Sequence, residues 1–141
     1  MLFLKENLDY MVFGVLGVMS FFVVWFAIER LIYYRRVRLE SFTHPEELTI
    51  ALTNRLTVIS SIGANAPYVG LLGTVFGILI TFYEIGQEGR IEPGTIMLGL
   101  ALALKATAAG LVVAIPAILF YNGLLRKVDV LTARWKQVNR A

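Results

Sequence analysis

Three apolar runs dominate this chain: Tyr10 to Ile28, Leu56 to Tyr83 and Ile96 to Leu125. A bilayer core takes about 20 residues of helix to cross, so each run is long enough to span it. The second and third are long enough to tilt or to extend beyond the lipid. Gly and Pro inside them would weaken soluble helices, but membrane helices tolerate both. Only 16% of the 141 residues are charged, well short of the roughly one quarter usual in soluble domains. Three spans leave little chain for a soluble core, so residues 1–141 are expected to form one all-α membrane domain. Glu29-Arg30 follows the first run directly, with no small-x-small cleavage pattern, so that run reads as a retained span rather than a signal peptide.

The charges give an orientation. Arg30, Arg35, Arg36, Arg38 and Arg55 lie between the first two spans, and Arg126, Lys127, Arg134, Lys136 and Arg140 follow the third. The opposite side carries Lys5 and Arg90, accompanied by Glu6, Asp9, Glu84, Glu88 and Glu92. Basic loops stay in the cytoplasm. The N-terminus is therefore expected outside, the 29–55 loop inside, the 84–95 loop outside and the 126–141 tail inside. This distribution explains the net charge of +3 without nucleic acid.

Helix boundaries follow from local signals. Residues 29–40 lack Gly and Pro, which predicts that the first helix continues into the cytoplasm and stops near Ser41 to His44. Thr43-His-Pro-Glu46 fits a capping box, with Pro45 in the first turn. A second helix is expected from Pro45 to about Tyr83. Gly86 to Gly89 reads as a turn, and Thr95 as the N-cap of a third helix that runs well past Leu125. In the tail, Val128, Leu131, Trp135 and Val138 recur at helical spacing, an apolar face for packing on the other cytoplasmic extensions.

The second span carries a stripe of small residues, Gly63, Ala66, Gly70, Gly73 and Gly77. The third repeats it with Gly99, Ala103, Ala106, Gly110, Ala114 and Ala117. Such stripes let helix backbones approach closely. Two of them in one short chain predict a bundle shared among several copies, since three helices cannot enclose a pore but a ring of subunits can.

Few polar groups fall inside the spans. Thr74 shares the stripe of the second span, Thr107 sits near that of the third, and antiparallel helices would bring both to nearly the same depth. Each hydroxyl either bonds its own backbone one turn back or holds water or a partner side chain. Lys105 is the one charged residue within a span, about 14 Å in from Ile96. It either snorkels outward or pairs with a carboxylate. No Asp or Glu lies inside a span. A proton pathway through such a membrane usually needs a titratable carboxylate or His, so another polypeptide would have to bring the acid.

Other chemistry is poorly provided for. The chain has no cysteine and one histidine, which excludes disulfides and thiol catalysis and leaves no multi-His site within one subunit. His44 reads as solvated. No nucleophile stands at a suitable spacing from a base, and no phosphate-cradling loop is present. Neither an enzyme nor a cofactor is expected.

The stretch Ala64-Asn-Ala-Pro-Tyr-Val-Gly-Leu-Leu-Gly-Thr-Val-Phe-Gly-Ile78 resembles the second-span signature of the MotA/TolQ/ExbB proton channel family. Lys105-Ala-Thr-Ala-Ala-Gly-Leu-Val-Val-Ala-Ile-Pro-Ala117, with Tyr121-Asn122, resembles its third-span signature. Three spans fit the ExbB and TolQ branches better than the four-span MotA branch. The resemblance implies a pentamer of long helices in the bacterial inner membrane. Its pore would hold single-span ExbD-type helices, each with an intramembrane aspartate, and a TonB-like protein would carry the work to outer-membrane import. Thr74 and Thr107 match the pore-lining threonines of the two motifs. One departure is that many members carry a glutamate where this chain has Leu102. The other is Lys105, where a small or apolar residue is common. A TolQ-type subunit for envelope maintenance and a passive membrane scaffold are the competing readings.

Overall fold

The computed structural model describes residues 2–139; Arg140, counted above among the basic tail residues, lies outside them. The chain forms α1 (Leu2–Arg36), α2 (Pro45–Thr53), α3 (Leu56–Glu88) and α4 (Pro93–Val138), with a single 3-10 turn at Leu39–Ser41 between α1 and α2. Among the described residues there is no strand. Helices α1, α3 and α4 are each long and apolar enough to cross a membrane. The 46 residues of α4 extend for about 69 Å, more than twice a hydrocarbon core of roughly 30 Å. Its far end must therefore project beyond the lipid.

Several boundaries differ from those read in the sequence. Helix α1 ends at Arg36, short of Ser41 to His44. The expected second helix is broken into α2 and α3 at Asn54-Arg55, where Arg55 takes a left-handed conformation with φ 71°. The capping box does not form: Pro45 occupies the first helical position, so His44 is the N-cap and Thr43 lies one residue too early. Glu46 and Glu47 instead sit in the first turn, where negative charge suits the helix dipole. Thr95 is likewise not a cap, because α4 starts at Pro93 with Glu92 as N-cap. Residues 86–88 remain helical, and Gly89 alone turns the chain, at φ 68° with its N–H bonded to the Ile85 carbonyl.

The best-enclosed core lies at the basic end of the bundle, where the C-terminal halves of α1 and α4 meet α2. Leu48, Leu52 and Ile59 are fully buried there, with Leu124, Val128 and Trp135 against them. Val138, expected to share that face, is exposed. Polar contacts lock this core to the last turn of α2, whose carbonyls have no partner within their own helix. The buried Arg30 guanidinium donates to the Ala51 carbonyl at 2.8 Å and the Tyr34 hydroxyl to the Leu52 carbonyl at 2.6 Å. Trp135 Nε1 donates to the Phe42 carbonyl at 3.0 Å, tying α4 to the loop before α2. Arg30 also pairs with Glu29 at 2.6 Å, and its hydrogen bond holds that carboxyl below the usual carboxylate range. Burial pushes the Tyr34 hydroxyl up to about 12. The Arg55 guanidinium lies 3.6 Å from the Glu29 carboxylate and 5.0 Å from the Phe26 ring centroid. The left-handed break is thus pinned against α1.

Candidate functional site

Helices α3 and α4 share the most extensive packing in the fold, and their backbones approach closely because no side chains stand between them. A Cβ added to Gly70 would lie 2.5 Å from the Ala106 carbonyl oxygen. One added to Gly110 would lie 2.6 Å from the Ala66 carbonyl oxygen and 3.1 Å from the Gly70 Cα. These obstacles are backbone, which cannot turn aside as a side chain can. Gly63, Ala66, Gly70, Gly73 and Gly77 of α3 are all buried, as are Gly99, Ala103, Ala106 and Gly110 of α4. Gly73 also receives α1, since Val12 stands 3.0 Å from where its Cβ would be.

The close approach brings the two threonines together. The Thr74 and Thr107 hydroxyl oxygens are 2.5 Å apart across the seam. Thr74 Oγ1 also lies 2.9 Å from the Ala103 carbonyl, and 3.3 Å from the Gly70 carbonyl of its own helix. Its shorter contacts are therefore across the seam rather than to the backbone one turn back. A hydroxyl has one proton to give and two lone pairs to receive. With Thr74 donating to Ala103, Thr107 donates to Thr74 and keeps a free acceptor. Thr74 is buried and Thr107 half-buried, so Thr107 is the member of the pair that the surroundings can reach.

A third hydroxyl continues the line. Thr81, seven residues beyond Thr74 and so on the same helical face, is buried and donates to the Gly77 carbonyl at 2.9 Å. The Lys5 ammonium of α1 approaches it at 3.5 Å. Gly99 faces it so closely that a Cβ there would fall 2.5 Å from the Thr81 methyl. Neither Thr81 nor Lys5 stood out in the sequence. The heptad step from Thr74 carried the signal for the first, while the contact with Lys5 depends on how α1 packs.

Lys105 is not part of this cluster. It is two residues before Thr107, about 200° around the helix, and it is exposed on the side of α4 turned from α3. Among the described residues no carboxylate lies within ion-pair distance of it; the pairs formed are Glu29 with Arg30 and with Arg55. Leu102 is 38% exposed. Among the described residues no three His, Asp or Glu side chains gather as a metal site would require. The Thr74–Thr107 pair offers hydroxyls that accept or donate hydrogen bonds at one depth, within spans 56–83 and 96–125 that contain no Asp or Glu.

A family model described as the MotA/TolQ/ExbB proton channel family matches residues 34–137. A biopolymer transport protein ExbB from Helicobacter pylori is 52% identical over 136 residues, which cover 96% of this chain and 94% of the relative. One of the same name from Aquifex aeolicus is 48% identical over 136 residues, covering 96% and 92%. A putative biopolymer transport protein ExbB-like 2 from Helicobacter pylori is 48% identical over 132 residues, covering 94% and 88%.

Proposed function

Because the chain belongs to the MotA/TolQ/ExbB proton channel family, a family of membrane transport components, we propose that it is an ExbB-type subunit of a motor driven by the proton motive force. In this reading it sits in the bacterial inner membrane as a multi-pass protein with the N-terminus outside and the basic end in the cytoplasm. Spans at about 10–28, 56–83 and 96–125 carry it, with extensions at 29–55 and 126–141 inside and the 84–95 loop in the periplasm. Several copies, five by family resemblance, close into a ring around single-span ExbD-like helices. The assembly energises a TonB-like protein for outer-membrane import. The names of the relatives favour this branch over a TolQ-type role in envelope maintenance.

The observation that carries the proposal is the hydroxyl pair. Thr74 and Thr107 touch at one depth on two helices whose apolar spans, 56–83 and 96–125, hold no Asp or Glu. A carboxyl group brought by the partner can then be served in either protonation state. When it is protonated, its O–H donates to the free lone pair of Thr107. When it is ionised, both hydroxyls reverse: Thr74 donates to Thr107, and Thr107 donates to the carboxylate. The reversal costs Thr74 its bond to the Ala103 carbonyl, but that oxygen keeps its helical partner, the amide of Thr107. Neither threonine titrates; the pair solvates the acid through its cycle, where a lone carboxylate in hydrocarbon would be costly.

Lys105 has a separate part in this reading. It faces away from the hydroxyl pair, so it pairs with an acidic group at a subunit interface or on the partner. The small-residue seam of α3 and α4 serves packing and holds the two threonines in register.

The test is the double variant Thr74→Val and Thr107→Val, co-expressed with the single-span partner. The proposal expects an oligomer of unchanged mass and a loss of energised import. A passive scaffold would retain both, and that result would refute the proposal.

A further inference from the structure

We propose that the cleft between the basic ends of α1 and α4 is a binding site for one anionic phospholipid of the cytoplasmic leaflet. It rests on the membrane topology proposed above but not on the motor reading. The two helices border an open cleft of about 300 Å³ lined by Arg35 of α1 and by Arg126, Lys127 and Arg134 of α4, with Tyr34, Val130 and Leu131 as its wall. Four cations therefore face one space. Among the described residues none of the four is within ion-pair distance of a carboxylate. Asp129 of α4 does not line the cavity, and Glu40, which borders the adjoining one with Arg35 and Arg134, pairs with neither. Like charges gathered around a cleft without a counter-charge are destabilising unless an anion joins them.

Depth selects the anion. Arg126 and Lys127 follow the last apolar residue of the α4 span directly, and Arg35 lies seven residues past Ile28 on α1. The cleft therefore begins where hydrocarbon gives way to headgroups, within reach of long basic side chains that extend along the helix. Basic pockets between membrane helices on the cytoplasmic side suit lipid phosphates.

A second observation separates a lipid from a soluble phosphate. Lys127 also closes a neighbouring groove between the same two helices, of about 170 Å³ and almost wholly apolar, lined by Ala27, Leu31, Leu119, Phe120 and Leu124 around Gly123. This groove lies on the bilayer side of the basic cavity. The two share one residue and one helix pair, so together they match a phosphate head with one acyl chain running along Gly123. A Cβ at Gly123 would meet nothing within 4 Å, and the missing side chain leaves the groove open.

The full-length chain, exchanged into lipid-free detergent, is offered phosphatidylglycerol or phosphatidylcholine, and retained lipid is read by native mass spectrometry. The proposal expects phosphatidylglycerol to be retained in preference, on the order of tenfold. Arg126→Gln with Arg134→Gln should remove that preference. Gly123→Leu should lower retention of phosphatidylglycerol with every charge still in place. Its first carbon meets nothing within 4 Å and it replaces a glycine inside a helix, so the lipid-free chain should be no less stable to heat. Equal retention of the two lipids would overturn the proposal. So would displacement of the lipid by millimolar inorganic phosphate, which would assign the cations to a soluble anion. A cysteine placed at Gly123, unique in this chain, gives one further readout: protection from a thiol reagent only when phosphatidylglycerol is present supports the site. Protection in lipid-free oligomers would mean that a neighbouring copy covers the groove, and the lipid assignment would fall.

Discussion

Thr74 and Thr107 lie 33 residues apart in the chain, yet their hydroxyl oxygens stand 2.5 Å from one another. The glycines of two facing helices make that contact possible. With Cβ atoms at Gly70 and Gly110 the α3 and α4 backbones could not approach as they do, and the hydroxyls would be separated. In the proposed motor, packing and chemistry are therefore one arrangement, in which the seam sets the distance at which the two threonines can relay a hydrogen bond.

Serine should substitute for either threonine, because it keeps the hydroxyl and loses only a methyl. Valine keeps the shape and loses the hydroxyl. Each single valine variant is expected to lower energised import on the order of tenfold to a hundredfold, the range for losing a hydrogen bond to a charged group. Each serine variant should stay close to the parent. Import rates measured at matched oligomer levels check this.

Gly70→Ala and Gly110→Ala should each destabilise the bundle by about 1–3 kcal/mol, because the added carbon meets backbone. Gly14→Ala adds the same carbon to α1, where nothing lies within 4 Å, and should leave the thermal midpoint of the dissociated chain unchanged or slightly raised. Thermal unfolding in detergent distinguishes them.

Tyr34→Phe removes the donor that satisfies the Leu52 carbonyl and should cost about 1–3 kcal/mol. The pH dependence has a defined sign. The hydroxyl is raised from 10.0 to about 12 in the fold, so the folded state favours its neutral form. Its contribution is complete below pH 10 and is lost as pH rises towards 12. Unfolding midpoints across that window should fall in the parent and be flatter in Tyr34→Phe.

Lys105→Gln should leave assembly unchanged and lower energised import. Unchanged import would remove Lys105 from the mechanism and leave it as a cation extended towards an interface.

Much of this architecture was legible in the sequence, for identifiable reasons. The three long helices follow from apolar runs that no soluble packing could bury, and the small-residue stripes follow from helical periodicity alone. Helix ends were less legible. The break at Asn54-Arg55 has no Gly or Pro to announce it, because a left-handed Arg55 is held by tertiary contacts with Glu29 and Phe26. The apparent capping box at Thr43 was displaced by one residue because Pro45 claimed the first helical position. At the site, the two threonines were visible as polar exceptions in apolar spans. Whether they touch depends on the register of α3 against α4. The contact of Lys5 with Thr81 spans 76 residues, and no local pattern encodes such a distance.

The most direct measurement is a disulfide between subunits. The chain has no cysteine, so Thr107→Cys can be paired with a cysteine replacing the intramembrane aspartate of the proposed single-span partner, and Ala108→Cys, one residue on and turned about 100° away, serves as the control. The account predicts rapid oxidation to a cross-linked pair at position 107 and little at position 108. Cross-linking at 108 with none at 107 would place the partner's acid away from the hydroxyl pair and contradict the account.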